Sequence, residues 1–420
     1  MDIWDFQGVL GMVTLIALAW IFSEQRRKVR VGMIFAAIAL QFLIAVSLLW
    51  FEPMRNAILS LNAVVRALQS STEAGATFVF GFLGGGAPPY EVTDPSNSTV
   101  LAFGVFPLII VLSALSALLW HWRILPIIVN AFAFIFQRTL GIGGAVGLGT
   151  AANIFVGMIE APLLIRPYLT KLSRGELFIV LTTGLATVAG TVLVLYAAIL
   201  SDTVPGALGH ILTASIINVP AAIMIARIMV PSDDVQTAST ESSFKYENTM
   251  DALATGTQNG LQIMLGVVAM LLVFVALMAL GNNMLSVIPD VAGAPLTIER
   301  LLGWAFAPVV WLIGIPWEDA MVAGSLMGLK TTLTEFVAYL ALASTPEDAL
   351  QDRSRLMLVY AMCGFASPAG VGIMVGGVTA LVPERRAEVL ELSVKALFSG
   401  TMATLMTGSV IGIITALGGV

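Results

Sequence analysis

The stretch VGMIEAPLLIRPYL, residues 156–169, places one carboxylate, Glu160, and two prolines, Pro162 and Pro167, in a run that is otherwise as apolar as a membrane span. A carboxylate at the bilayer centre opposes insertion by about 2.5–3.5 kcal/mol. Proline removes a backbone donor and breaks a helix that would otherwise satisfy its own polar groups. Irregular backbone at that depth survives only where it is buried in protein or lines a watery cavity, because lipid offers no hydrogen bonds. The segment therefore reads as one arm of a re-entrant hairpin, with Glu160 as a solute contact that justifies its insertion cost.

The rest of the chain supports a bilayer setting. Of 420 residues 58% are hydrophobic and 11% charged, whereas a water-soluble domain carries about 25% charged residues. A net charge of −6 without a basic block leaves no footprint for nucleic acid. The single cysteine, Cys363, excludes an intramolecular disulfide framework. The first apolar run precedes its basic cluster of Arg26, Arg27, Lys28 and Arg30, the wrong order for a cleavable signal peptide.

Apolar runs of spanning length lie near 6–22, 31–51, 100–120, 176–200, 206–230, 259–285, 356–382 and 390–416, which predicts an all-α polytopic membrane protein with eight transmembrane helices. The positive-inside rule puts Arg26–Arg30 in the cytoplasm and both termini outside, and a short chain without long tails suggests a bacterial inner (plasma) membrane. Residues 54–82 alternate apolar and polar groups and read as an interfacial amphipathic helix. The Gly/Pro-rich stretch that follows reads as an exterior loop, and the polar stretch 231–249 as a linker.

Two regions, 135–172 and 298–343, are too short for two comfortable spans and are interrupted by Gly, Pro and polar residues. They read as re-entrant hairpins, the first from the cytoplasm and the second from outside, as an inverted repeat requires. GLATVAG (184–190) and GFASPAG (364–370) follow them and match at Gly184/Gly364, Ala186/Ala366, Ala189/Ala369 and Gly190/Gly370. The implied organisation is scaffold over 1–134, a first transport repeat over 135–230, a cytoplasmic linker over 231–257, a scaffold helix over 258–297 and a second transport repeat over 298–420.

Glu160 in the first hairpin and Glu335 in the second are the acids that can accept hydrogen bonds from a polar solute. Pairing with Arg166 or Lys330 would be the purely structural alternative. Glu318 and Asp319, beside Trp317, read as a solvated cap at a bend. Pro368 and the small polar residues of the two matched stretches predict broken helices, whose freed carbonyls and hydroxyls suit Na⁺. Asn153, near the first hairpin's turn, adds a side-chain oxygen. His121 and His210 lie near span ends and form no catalytic or metal-spaced pattern, and GLGTAANIF lacks the ending of a phosphate-binding loop. The chain does not read as an enzyme. A carrier with stepwise access fits two oppositely oriented acids better than an open channel does.

NIFVGMIEAPLLIRPYL, TEFVAYLAL and CGFASPAGVGI, in that order, closely resemble the concentrative nucleoside transporter family, as do FVFGFLGG and FGVFPLIIVLSALSALL upstream. The resemblance runs from about residue 76 onward. It implies eight spans, an interfacial helix, two re-entrant hairpins and a homotrimer. It places a sodium site on Asn153, the carbonyl of Val156, Thr187 (where serine is usual) and the carbonyl of Val188. It places the solute among Gly157, Met158, Ile159, Glu160, Val192, Glu335, Phe365, Ser367 and Gly370, with Glu160 towards the nucleobase and Glu335 on the ribose hydroxyls.

The departures are chemical. Where the family reads Gly-Gln-Thr-Glu-Ala-Pro, this chain has Gly157-Met158-Ile159-Glu160-Ala161-Pro162, and Ser367 and Gly370 stand where asparagine and serine are usual. A site that loses polar partners loses discrimination, so the sequence predicts base specificity shifted from the family norm. It predicts symport in which the hairpin-bearing part moves against helices 31–51, 100–120 and 259–285. One Na⁺ crossing 100 mV down a tenfold gradient supplies roughly 3.7 kcal/mol. A proton-coupled carrier of a nucleoside or nucleoside-like solute, with Glu160 titrating, is the alternative.

Overall fold

A computed structural model describes residues 7–91, 100–232, 245–291 and 293–418, with side chains except those of 54–62 and 65. Among them the regular elements are helices, apart from one isolated bridge between Val291 and Ala294. In chain order these are α1 (Gln7–Ile21), α2 (Val31–Trp50), α3 (Glu52–Phe80), α4 (Pro107–His121), α5 (Ile124–Leu140), α6 (Gly144–Ala152), α7 (Glu160–Leu164), α8 (Arg166–Leu169) and α9 (Arg174–Ala186). They continue with α10 (Gly190–Ile199), α11 (Ala207–Met229), α12 (Thr249–Leu285), α13 (Ile298–Leu312), α14 (Ala320–Thr332), α15 (Glu335–Ala343), α16 (Asp352–Met362), α17 (Pro368–Leu381) and α18 (Arg386–Ala416).

Six helices among the described residues, counting the broken 174–199 as one, are long and apolar enough to cross a bilayer. The chain is an all-α membrane protein. Of the other two expected spans, α1 has 15 described residues, and 356–382 is divided between α16 and α17. The expected interfacial segment is the 29-residue α3. Residues 92–99 of the expected exterior loop and 233–244 of the linker lie outside the described residues.

Two boundaries differ from the sequence expectation. The boundary at 134/135 cuts α5, whose C-terminus is a left-handed glycine, Gly141, six residues further on. The linker expected to run to 257 ends at Asn248, whose side chain accepts from the N–H groups of Met250 and Asp251 and so caps α12 at Thr249. Each hairpin region also contains more than a hairpin. A separate helix, α5 or α13, leads into the helix–turn–helix units α6/α7 and α14/α15. Gly324 and Gly328 let α14 lie close on α13, since a Cβ there would meet Ala307 N at 2.7 Å and Leu302 Cβ at 2.5 Å. Asp319 is not the solvated cap expected: it is buried and accepts from the Gln351 N–H at 3.1 Å, while Glu318 is exposed.

The core is α9, α11 and α18 packed on one another, with α12 on α4 outside them. Gly256 and Gly260 bring α12 close to α4, where a Cβ would approach Ala114 Cα at 2.8 Å and Ile110 Cα at 2.7 Å. The outer face of α12 leaves Leu265, Leu272, Val275 and Met284 exposed, an apolar surface suited to lipid or another chain.

α9 and α16 both stop in mid-core. α9 starts with a capping box, in which Ser173 Oγ accepts from the Glu176 N–H and Glu176 Oε2 from the Ser173 N–H. It ends at Ala186, and the chain restarts helically at Gly190. Asn218, in the middle of α11, donates through Nδ2 to Ala186 O (2.8 Å) and to Cys363 O (2.6 Å), satisfying a carbonyl at each break with one amide. The breaks also touch directly, the Phe365 N–H donating to Thr187 O at 3.4 Å. A Cβ on Gly364 would lie 2.8 Å from Ala186 O, so glycine is needed at the crossing. The matched glycines do not occupy equal places: Gly184 lies inside α9 and Gly364 in a break, while Gly190 opens α10 and Gly370 sits in the first turn of α17.

At one end of the bundle Glu24, from the α1–α2 connection, binds Arg174 (3.0 Å) and Lys395, and Arg174 also binds Glu391 (2.7 Å). Arg385 donates to Leu169 O and Leu172 O at the same end. The hydrogen bond from Arg174, then the one from Lys395, hold the Glu24 carboxyl below its ordinary value against the opposing effect of burial. A depressed folded-state pKa stabilises above the unfolded value and loses that contribution as pH falls through the folded one. Thermal denaturation in detergent is therefore expected to show Glu24→Gln costing about 1 kcal/mol or less near neutral pH, the gap from wild type closing as pH falls through the lowered Glu24 value. Asn218→Leu strips a donor from two buried carbonyls and is expected to cost about 2–4 kcal/mol in the same assay.

Candidate solute and cation site

The two acids open corresponding helices. Glu160 is the first residue of α7 and Glu335 the first of α15, each directly after the turn of its unit. Thr334 caps α15 by accepting from the Val337 N–H at 3.4 Å. Glu335 is buried, and its Oε1 accepts a 2.6 Å hydrogen bond from the hydroxyl of Tyr196 on α10. Tyr196 is held in turn by Tyr339 and Phe336, with ring centroids at 5.0 and 6.0 Å. Among the described residues neither Lys330 nor Arg166 forms an ion pair with these acids. Arg166 is exposed, and Lys330 is wholly buried with no hydrogen-bond partner for Nζ. Tyr196 is the partner of Glu335 where the structural alternative required a cation.

Glu160 is half-buried, and glycine permits its pose. Gly157 has φ +131°, and a Cβ there would lie 2.8 Å from Glu160 Oε2. The carboxylate faces a cavity lined by Val156, Leu163 and Leu164 of its own unit, Thr191 of α10, Ser113, Ser116, Ala117 and Trp120 of α4, Gly256 and Asn259 of α12, and Tyr246. Tyr246 lies before α12, and burial, then the Glu160 charge, pushes its phenol up to about 12, so it stays a hydroxyl at neutral pH.

Between this turn and the first break lies a candidate cation site. Asn153 Nδ2 donates to Thr187 Oγ1 (2.7 Å) and Thr183 O (2.8 Å), and Thr187 Oγ1 donates to Thr183 O (2.9 Å). That arrangement leaves Asn153 Oδ1 buried with no partner. An orphaned buried acceptor beside a threonine hydroxyl is the hard-oxygen chemistry that Na⁺ takes. The Gly190 N–H binds Phe155 O at 3.1 Å, which ties the turn to α10, and a Cβ on Gly190 would meet that oxygen at 2.4 Å.

Family models for the Na⁺-dependent nucleoside transporter N-terminus, for nucleoside recognition and for the Na⁺-dependent nucleoside transporter C-terminus match residues 10–83, 102–203 and 210–412. The Bacillus subtilis transporter YutK is 35% identical over 96% of this chain and 98% of its own. The Helicobacter pylori nucleoside permease NupC is 32% identical over 97% of each. The structure of CNTnw in an inward-facing substrate-bound state superimposes with a TM-score of 0.90 at 33% identity, covering 99% of this chain and 98% of that one. The chain belongs to the concentrative nucleoside transporter family. It is accordingly a membrane transport protein, not an enzyme, in a family whose solutes are nucleosides.

In this transporter the remaining expected site residues separate into four groups. Asn153 and Thr187 are hydrogen-bonded, with Val188 buried beside them and Val156 on the cavity wall. Ser367 and Gly370 are committed locally: Ser367 Oγ caps α17 by accepting from the Gly370 N–H at 3.2 Å, and a Cβ on Gly370 would lie 1.9 Å from Phe365 O. Phe365 is half-buried at the break, and Val192 is buried on α10. Met158 and Ile159 do not line the Glu160 cavity. Met158 packs on Gly184, and Ile159 lies against Gly377 of α17, where an added Cβ would meet Ile159 Cγ1 at 2.8 Å.

Sequence reasoning passed over Tyr196, Asn218, Tyr246 and Asn259. Asn218 carries the same signal as Asn153, an amide inside an apolar run, and Tyr196 is a lone hydroxyl in VLVLYAAIL. Nothing local marks Tyr246 or Asn259. Tyr196→Phe removes the donor from a buried carboxylate and is expected to lower stability by about 1–3 kcal/mol, read as a fall in melting temperature of the purified protein.

Proposed function

We propose that the protein is a sodium-coupled symporter that imports nucleosides, with base specificity shifted from the family norm. The observation that carries the coupling is the orphaned Oδ1 of Asn153 at the first helix break. Na⁺ is taken there as co-substrate, with Thr187 and the carbonyls of Val156 and Val188 as the remaining ligands. Glu335, positioned by Tyr196, accepts from the ribose hydroxyls, and Glu160 accepts from the base. Phe365 and Val192 supply apolar contact, and Ser367 and Gly370 shape the second break. Gly157, Met158 and Ile159 form the turn that carries Glu160. The two apolar residues leave it without the polar side chains that read the base edge elsewhere in the family.

The same reading takes α6/α7 and α14/α15 as re-entrant hairpins of opposite orientation among eight spans, with α3 interfacial and both termini outside. It places the protein in a bacterial inner membrane. The apolar outer face of α12 supports assembly as a homotrimer. Clustering of Arg174, Arg385 and Lys395 at one end supports the cytoplasmic assignment of that end.

Uptake of radiolabelled nucleosides into proteoliposomes is the direct test. Wild type is expected to require an inward Na⁺ gradient, Asn153→Leu to lose that dependence, and Glu335→Gln to reduce uptake roughly 10- to 100-fold through loss of a charged acceptor. Uptake driven by a pH gradient alone, or indifferent to both gradients, would contradict sodium coupling.

A further inference from the structure

Met158 and Ile159, beside Glu160 in the hairpin turn, carry no polar side-chain groups, yet Glu160 still faces a cavity with polar walls. Those walls belong to other elements. Ser113, Ser116 and Trp120 come from α4, Asn259 from α12, and Tyr246 from the segment that leads into α12. Met158 is buried against Gly184, and Ile159, still exposed on one side, lies against Gly377. Apart from Thr191 of α10, the polar side chains facing Glu160 are thus contributed by the outer helix pair and the segment leading into α12, and not by the unit that carries the acid.

We infer that α4, α12 and Tyr246 read the nucleobase in this transporter, with Asn259 and Tyr246 as specificity-determining residues opposite Glu160. The inference rests on the proposed nucleoside transport and deepens it. A nucleobase edge carries donors and acceptors side by side. Keto bases present a ring N–H beside a carbonyl, and amino bases present a ring nitrogen beside an amino group. Glu160 as a carboxylate accepts only, so it takes the base's N–H and reads nothing else. Asn259 has both a carbonyl and an amide NH₂, so its pattern matches one class of edge and opposes the other. The Tyr246 hydroxyl and the serine hydroxyls complete the polar rim, and Trp120 supplies an aromatic wall. Gly256, one turn before Asn259, packs against Ala114 and Ala117 of α4, which fixes the register of Asn259 relative to Ser113 and Ser116.

The test compares uptake of uridine, cytidine, adenosine, guanosine and inosine by wild type, Asn259→Leu and Tyr246→Phe in proteoliposomes, with Glu335→Gln as the ribose-site control. Asn259→Leu is expected to compress the ratio between keto and amino nucleosides by about 10-fold, and Tyr246→Phe to shift it less. Glu335→Gln is expected to lower all five together. Thermal shift of each purified variant with the same nucleosides separates binding from turnover. If wild type transports nucleosides but both variants keep its ratio of keto to amino nucleosides, scaling every nucleoside equally, base reading by the outer helices is wrong while nucleoside transport stands. If wild type neither binds nor transports any of the five, the functional reading fails and the inference falls with it.

Discussion

One amide holds the centre of the molecule together. Asn218 sits in the middle of α11 and donates both hydrogens to carbonyls freed where α9 and α16 stop, Ala186 O at 2.8 Å and Cys363 O at 2.6 Å. Unsatisfied carbonyls at that depth would each cost several kcal/mol in a medium without water. The clamp therefore allows two helices to end inside an apolar core, and the candidate cation ligands and the residues of the second break hang from those endings. Thr187 lies at the first, Phe365 and Ser367 at the second, and the turn carrying Asn153 is tied to the first through Phe155 O and Gly190. Glycine makes the crossing possible, because a Cβ at Gly364 would press on the Ala186 carbonyl.

The two acids solve the same problem with different surroundings. Glu335 is buried and receives a phenolic hydrogen from Tyr196, itself wedged among Phe336 and Tyr339. Glu160 is half-buried over a turn that only glycine relaxes, and it opens onto a cavity shared with α4 and α12. One carboxylate is fixed in direction by a phenol, and the other faces a wall built by other elements. In the proposed function the first takes the ribose, common to all nucleosides, and the second takes the base, which differs among them.

Much of this was legible in the chain. The apolar runs, the two regions too short and too broken to be pairs of spans, the acids within them and the matched small-residue stretches all follow from periodicity and composition, and the structure has helices and breaks at those places. The purpose of Met158 and Ile159 was not legible. By sequence they stand next to Glu160 and invite a role in recognition, but a turn with Gly157 at positive φ rotates successive side chains apart, so that one packs on α9 and the other on α17. Lys330 and Arg166 were plausible counter-charges by proximity along the chain, and neither pairs with its acid.

The sequence by itself determined the class of molecule and the places where helices break, because hydropathy and the cost of burying charge or freeing backbone are properties of short stretches. Only the tertiary structure decided the partners: Tyr196 for Glu335, Asn218 for the two breaks, and Tyr246 and Asn259 around Glu160. Each of those pairings joins helices far apart in the chain. A hydrogen bond or a shared cavity depends on where helix axes cross, which no local pattern encodes.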